Sequence, residues 1–391
     1  MLSVRILLAA LGLFSAPPLA AQTRFDPGSA PGRPLREAFE RTYADRSLAE
    51  MECRVGTFPA QLGYDLQISA GFEFLLPLRQ FQGKNANALV NVFRVTPRKP
   101  AGEPVWFIRR WPLRPIPEGA AVDKRLSYQF SGGFLVGPGE YDVDWLVADS
   151  LNRVCRKRWS IKARAPRAGG LDFKPGLVDD DRRLLNWSGP AAASSARRAT
   201  IFLNAAPTVR RRYSTRLSWW DFRLLLTTLT NAIGRGGFTQ ARVVVFDLER
   251  RRVLFEADDF RRREFRELAE VLGAVDLATI DYATLARGPS EWEFLESLLA
   301  AERKQSVRPD AYLFIAPAWR EGERRRPLNP ALLEDLPRVF AFALAPFGQY
   351  ASGTVVDFAK AARGRVFNIF QPPGLATATE RLRRELDGEE R

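Results

Sequence analysis

Arginine is the residue type in this 391-residue chain best suited to bind a ligand. Three runs stand out: Arg210-Arg211-Arg212, Arg250-Arg251-Arg252, and Arg320 with Arg324-Arg325-Arg326. A guanidinium offers a planar fork of N–H donors, which matches carboxylate, phosphate or sulfate oxygens two at a time. The chain carries 59 basic and 45 acidic residues, a net charge of +14, and only eight of the basic residues are lysine. That balance favours polyanionic partners. A GC-rich coding sequence also inflates arginine, so the number of arginines decides less than whether they share a surface.

Other chemistry is excluded by what is missing. The chain has no histidine, which removes Ser-His-Asp and Cys-His catalysis, HExxH zinc sites and every histidine-ligated metal. Two cysteines cannot form a four-cysteine zinc site. There is no Gly-x-Ser-x-Gly elbow and no phosphate loop; Gly234-Arg235-Gly236-Gly237 reads as a helix stop. Carboxylates are plentiful, but no spacing singles out an acid/base couple. Asp179-Asp180-Asp181 fits no calcium loop and reads as a solvated turn. Trp106, Trp111 and Trp159 could stack on sugars if exposed, and the alternative is core packing. No cofactor is implied.

The elements that position these residues begin with an export signal over residues 1–21. Arg5 precedes an apolar run from Ile6 to Phe14, followed by Pro17-Pro18-Leu19-Ala20-Ala21, with cleavage expected after Ala21. The run is shorter than the roughly 20 residues of a bilayer span. Export to the periplasm or the exterior makes Cys53 and Cys155 a natural disulfide pair. No later segment is long and apolar enough to cross a membrane.

Residues 22–50 form an N-terminal extension, with a short helix marked by Leu35, Phe39 and Tyr43. From 51 to 163 the apolar period is two, with Gly and Pro between the runs. About seven short strands at this spacing predict an immunoglobulin- or fibronectin-like β-sandwich, with Cys53 on its first strand and Cys155 on its last. Residues 164–198 read as a linker. From 199 to 373 buried-type strands alternate with helices, which predicts an α/β doubly wound, mainly parallel sheet. Residues 374–391 close the chain with a helix and tail.

The order of elements over about 200–370 resembles the von Willebrand factor type A domain. The resemblance rests on Ala199 to Leu203, Val243-Val244-Val245-Phe246-Asp247 with Val253-Leu254-Phe255, Ala311-Tyr312-Leu313-Phe314-Ile315, Ala341-Phe342-Ala343-Leu344, and the run from Phe358 to Phe367. With its signal and β-rich module, the chain is similar to acidobacterial-type secreted proteins of that superfamily. The resemblance implies a cation site at the strand ends, built on Asp-x-Ser-x-Ser. Here that motif aligns with Asn204-Ala205-Ala206-Pro207-Thr208, and a later Thr-Asp-Gly aligns with Ala316-Pro317-Ala318. At Asn204 the acid has become an amide, Ala206, Ala316 and Ala318 carry no side-chain oxygen, and only Thr208 could still coordinate. The site is therefore degenerate and no metal is expected.

The fold implied by the resemblance also places the three arginine clusters at one edge, after strands that end there. The resulting expectation is a secreted or periplasmic, non-enzymatic interaction protein. It binds an unidentified protein or anionic polymer at an arginine-rich strand-end face, without specific nucleic-acid recognition. Two alternatives remain open: a periplasmic hydrolase without a recognisable motif, and a structural envelope component. The sequence does not fix the oligomeric state.

Overall fold

Alternating apolar residues along Ile68–Pro77 put Phe72 and Phe74 on one side of a strand, and that side builds the first core. The computed structural model describes residues 22–84, 86, 88–166, 170–181, 187, 189–190, 197–209, 217–275, 290–318, 326–348 and 351–388. The export signal lies outside the described residues. Two compact units are present. The first comprises residues 1–61, 67–165 and 172–181, and the second comprises 62–66, 166–171 and 182–391.

Among the described residues, the first unit holds nine strands in two sheets. They are β1 (Thr23–Phe25), β2 (Arg54–Leu62), β3 (Ile68–Pro77), β4 (Ala88–Lys99), β5 (Val105–Pro112), β6 (Ser127–Val136), β7 (Gly139–Asp149), β8 (Val154–Ala163) and β9 (Val178–Asp180). One sheet runs β1-β5-β4-β7-β8 and the other β2-β3-β6-β9. The core between them is aromatic. Phe72 meets Phe93 at 5.2 Å, Phe74 meets Trp145 at 5.0 Å, and Phe93 meets Phe134 at 5.7 Å. Each fully buried ring of this kind contributes about 1.5–3 kcal/mol. Trp159 packs on Phe72 and Trp111 on Phe74, so both serve this core. Trp106 is buried on the sheet's other face, edge-on to Phe39.

Phe39 belongs to α1 (Gly32–Ala44), whose spacing brings Leu35, Ala38 and Phe39 onto Val90, Val92, Leu146 and Ala148. Arg156 closes the helix by donating to the Thr42 carbonyl at 3.1 Å. Residues 22–50 thus belong to the sandwich unit rather than preceding it. The stretch 164–198 is likewise not one linker: Val178–Asp180 pairs with β6, and residues 166–171 belong to the second unit.

Cys53 and Cys155 form a disulfide, with Cα atoms 6.4 Å apart and a sequence separation of 102. Cys53 immediately precedes β2 and Cys155 lies on β8, strands of different sheets. What runs beside β8 is the chain entering β2. The Met51 amide donates to the Val154 carbonyl at 2.7 Å, and the Val154 amide donates to Ala49 at 2.9 Å.

The second unit is built on one six-stranded sheet, ordered β12-β11-β10-β13-β14-β15. These strands are β10 (Arg198–Asn204), β11 (Gln240–Asp247), β12 (Arg252–Ala257), β13 (Ala311–Pro317), β14 (Arg338–Leu344) and β15 (Arg365–Ile369). The helices are α2 (Trp219–Arg235), α3 (Arg262–Ala274), α4 (Glu291–Arg303), α5 (Pro330–Leu333), α6 (Thr354–Ala361) and α7 (Pro372–Asp387). Ile201 and Leu203 of β10 share a core with Leu225 and Leu229 of α2, Phe265 of α3 and Leu382 of α7. Phe202, on the opposite face, shares a core with Trp292 of α4 and Phe358 of α6. Burial on both faces explains why β10 is a continuous apolar run.

The fold class expected from the sequence is corrected by the strand pairing. A doubly wound, mainly parallel sheet does not characterise this chain. Every described strand ladder of the first unit is antiparallel, as is that of β11 with β12, and the parallel contacts there are two isolated bridges, Glu50 with Val154 and Gln82 with Ile116. Among the described strands, parallel ladders are confined to four joins of one sheet. Short turns account for the β4–β5, β7–β8 and β11–β12 pairs, since a short turn can link only antiparallel neighbours, whereas β3 with β6 and β4 with β7 pair across longer stretches of chain. The sandwich that results holds the larger number of strands.

Candidate functional site

At the carboxyl ends of β10, β13 and β14 the ladder runs on past the strands. The Ala205 amide donates to Phe246, the Ala206 amide to the Asn204 carbonyl, and the Ala318 amide to Leu344, all at 2.8–2.9 Å. These bonds hold Asn204, Ala206 and Ala318, three of the five positions that the resemblance aligned with a cation motif. Asn204 is buried, and its Oδ1 accepts from the Leu248 amide at 3.4 Å. Ala206 carries no ligand atom on its side chain. Ala316 and Ala318 are buried, and Ala318 packs against Ala343 and Val356. A methyl group thus stands where a hard cation would need oxygen.

Thr208 is also committed. Its amide and hydroxyl both donate to Asp221 Oδ1, at 2.9 and 2.6 Å. Asp221 sits in the first turn of α2 because Ser218 caps that helix: Ser218 Oγ accepts from the Asp221 amide at 3.1 Å and donates to Asp221 Oδ2 at 2.5 Å. The buried carboxylate therefore has three donors and ties the exit loop of β10 to the start of α2. Among the described residues, no group of three or more His, Cys, Asp or Glu could hold a metal.

The described arginines are partly brought together. Arg250 donates to the buried Asp247 carboxylate through its amide (3.2 Å) and Nη1 (2.9 Å). Arg251 occupies the left-handed region, with φ 50°, in the tight turn between β11 and β12. Arg252 opens β12, opposite Asp247. Arg326 Nη1 lies 3.9 Å from Glu293 Oε1. Glu293 also completes a capping box, accepting from the Ser290 amide at 2.7 Å. That bond, with the charges of Arg326 and Arg251, holds its carboxyl below the usual range. Members of two clusters thus act on one exposed acid. Arg210, Arg211, Arg212, Arg320, Arg324 and Arg325 lie outside the described residues.

The same edge carries an aromatic group that composition and motif reading passed over. Trp219 is 65% exposed, Trp220 39%, Phe347 70% and Val209 44%. Trp219 stacks on Phe222 at 5.4 Å, and Trp220 meets Phe347 at 5.0 Å. Tyr64, which belongs to this unit, lies edge-on to Trp220 at 6.1 Å. Its hydroxyl donates to the Phe370 carbonyl, and burial pushes it up to about 12. The buried face of α2 begins at Asp221 and Leu224, so the two tryptophans precede it. The sequence signal was there: two indoles ahead of the apolar face they would otherwise serve, and a phenyl in a Pro-Phe-Gly turn.

The opposite edge of the sheet holds a cleft of about 310 Å³, lined by Arg198, Thr200, Gln240, Arg242 and Asp258 among others. Its charges are tied to one another. Arg242 pairs with Glu302 at 2.7 Å, with Glu256 at 2.6 Å and with Asp258, and Thr200 donates to Glu302 at 3.2 Å.

No protein-family model matches the chain, and no curated protein does so. Among solved structures, a Northeast Structural Genomics Consortium target matches 32% of this chain and 97% of its own, at 8% identity and TM-score 0.18. A glycosyl hydrolase family 2 member from Bacteroides cellulosilyticus matches 79% of this chain at 10% identity and TM-score 0.19. A Bacteroides uniformis beta-glucuronidase matches 75% at 9% identity and TM-score 0.19. This chain spans 37% and 33% of the length of those two hydrolases. None of the three is described as a type A domain, and likeness at this level assigns neither fold nor activity to the chain.

Proposed function

We propose that this is an exported, non-enzymatic binding protein whose contact face is the strand-end edge of the second unit. The observation that carries the reading is the exposed group Trp219, Trp220, Phe347 and Val209 beside the exit of β10. Exposed aromatic groups of this kind mark interaction sites, because they hold large apolar area in water at a cost. The carboxylates described at this edge are already engaged: Asp221 by Thr208 and Ser218, Asp247 by Arg250, Glu293 by Ser290 and Arg326. That arrangement suits a contact face better than acid/base work. The net charge of +14 favours an anionic partner. Export is supported by the Cys53–Cys155 disulfide, since such bonds persist in oxidising compartments.

The test is capture from periplasmic extract and culture medium at two salt concentrations, using the full chain and its Trp219→Ser/Phe347→Ser variant. A partner held by the wild type and lost by the variant supports the reading. Equal capture by both overturns the assignment of the face.

A further inference from the structure

We propose that the exposed aromatic edge of the second unit docks on an anionic lipid surface, an assignment that rests on the binding-face reading above. Trp219 and Phe347 each keep well over half of their surface in water. Rings exposed to that degree project outward rather than line a groove, and a projecting ring suits a soft interface that closes around it. Indole is the side chain that best occupies the boundary between headgroups and acyl chains.

The group is braced from behind. Trp219 lies on Phe222 with an interplanar angle of 21°, and Trp220 is held between Phe347 and Tyr64. The two bonds from Thr208 to Asp221 anchor the neighbouring residue Val209 beside the same helical turn. Little side-chain freedom is therefore left to lose on insertion.

The net positive charge of the chain favours an anionic surface over a neutral one. The chain carries +14, and the edge acids Asp247 and Glu293 each face an arginine, which limits their repulsion of lipid phosphates. No helix among the described residues is long and apolar enough to cross a membrane, so the contact proposed is a peripheral one.

The test is flotation of the full chain with phosphatidylcholine vesicles containing phosphatidylglycerol, and with pure phosphatidylcholine vesicles, at low and high salt. The wild type is expected to float with the anionic vesicles at low salt and to be released by high salt. Trp219→Ser/Phe347→Ser is expected to bind roughly tenfold or more weakly, with its thermal unfolding unchanged. Trp219→Phe is expected to keep binding while quenching by acyl-brominated lipid falls, because an indole leaves the bilayer.

Absence of wild-type flotation on anionic vesicles overturns the lipid assignment. If the serine variant nevertheless loses a soluble partner in the capture experiment, the binding face stands and its partner is a protein. Flotation of the serine variant equal to wild type overturns the aromatic edge as the docking element. Equal flotation on pure phosphatidylcholine overturns the requirement for anionic lipid.

Discussion

Thr208 and Asp221 are joined twice, the Thr208 amide and hydroxyl both donating to one carboxylate oxygen, at 2.9 and 2.6 Å. This pair fastens the loop leaving β10 to the first turn of α2 and engages the Thr208 hydroxyl. Hydrogen bonds to a buried charge are worth about 1.5–3 kcal/mol. Asp221→Ala is therefore expected to destabilise the second unit by about 3 kcal/mol or more in urea unfolding, and Thr208→Val by about 1–2 kcal/mol. The double variant should cost less than the sum of the two, since both remove the same contact. Full additivity would show that the pair is not coupled.

Addition of Mg²⁺ is expected to leave thermal unfolding unchanged, because a ligand stabilises a fold only by binding it. Asn204, Ala316 and Ala318 offer one amide oxygen and two methyl groups, and Thr208 is already bonded. A rise in unfolding temperature that saturates with Mg²⁺ and is abolished by chelator would refute this.

Removing the disulfide by Cys53→Ser/Cys155→Ser should destabilise the first unit by about 4–5 kcal/mol in the chain-entropy account, since it closes a loop of 102 residues. The second unit should keep its own unfolding transition. A loss well under 1 kcal/mol would mean that residual structure in the unfolded chain already keeps the two segments close.

Tyr141 links stability to alkaline pH. Its side chain is fully buried, burial pushes its hydroxyl from 10.0 up to about 12, and the hydroxyl donates to the Gly137 carbonyl at 2.7 Å. A raised value means that the folded state holds the proton more tightly than the unfolded chain. The stability this contributes is complete below pH 10 and is lost as pH rises through about 12. Tyr141→Phe should lower stability at neutral pH, by losing the bond, and flatten its decline in that window. An unchanged alkaline decline in the variant would assign the effect to other groups.

Much of this could be read before any coordinate. Two cysteines in a chain with an export-like start left one possible pair, and Cys53 and Cys155 are joined. Period-two runs separated by Gly and Pro made strands, as along Ile68–Pro77, because side-chain alternation is a local property. The spacing of Leu35, Phe39 and Tyr43 marked α1 for the same reason. The balance between parallel and antiparallel pairing was not legible in this way. It depends on which strands share a sheet, a matter of long-range association that no window of sequence contains. Asn204, Ala316 and Ala318 could be read as lacking carboxylates, but only the fold shows Thr208 bonded to Asp221.

Placement was decided by tertiary structure alone. Arg251 and Arg326 come from distant stretches, and the chain's path brings both to Glu293, so part of the positive charge meets an acid of its own. Trp220 and Phe347 touch because α2 begins, and β14 ends, at the same edge of one sheet. The sequence by itself determined the charge, the disulfide partners and the local elements, since each follows from residue type or short-range spacing. Which side chains share a surface was settled only when the strands paired, because packing, unlike periodicity, joins residues without regard to their distance along the chain.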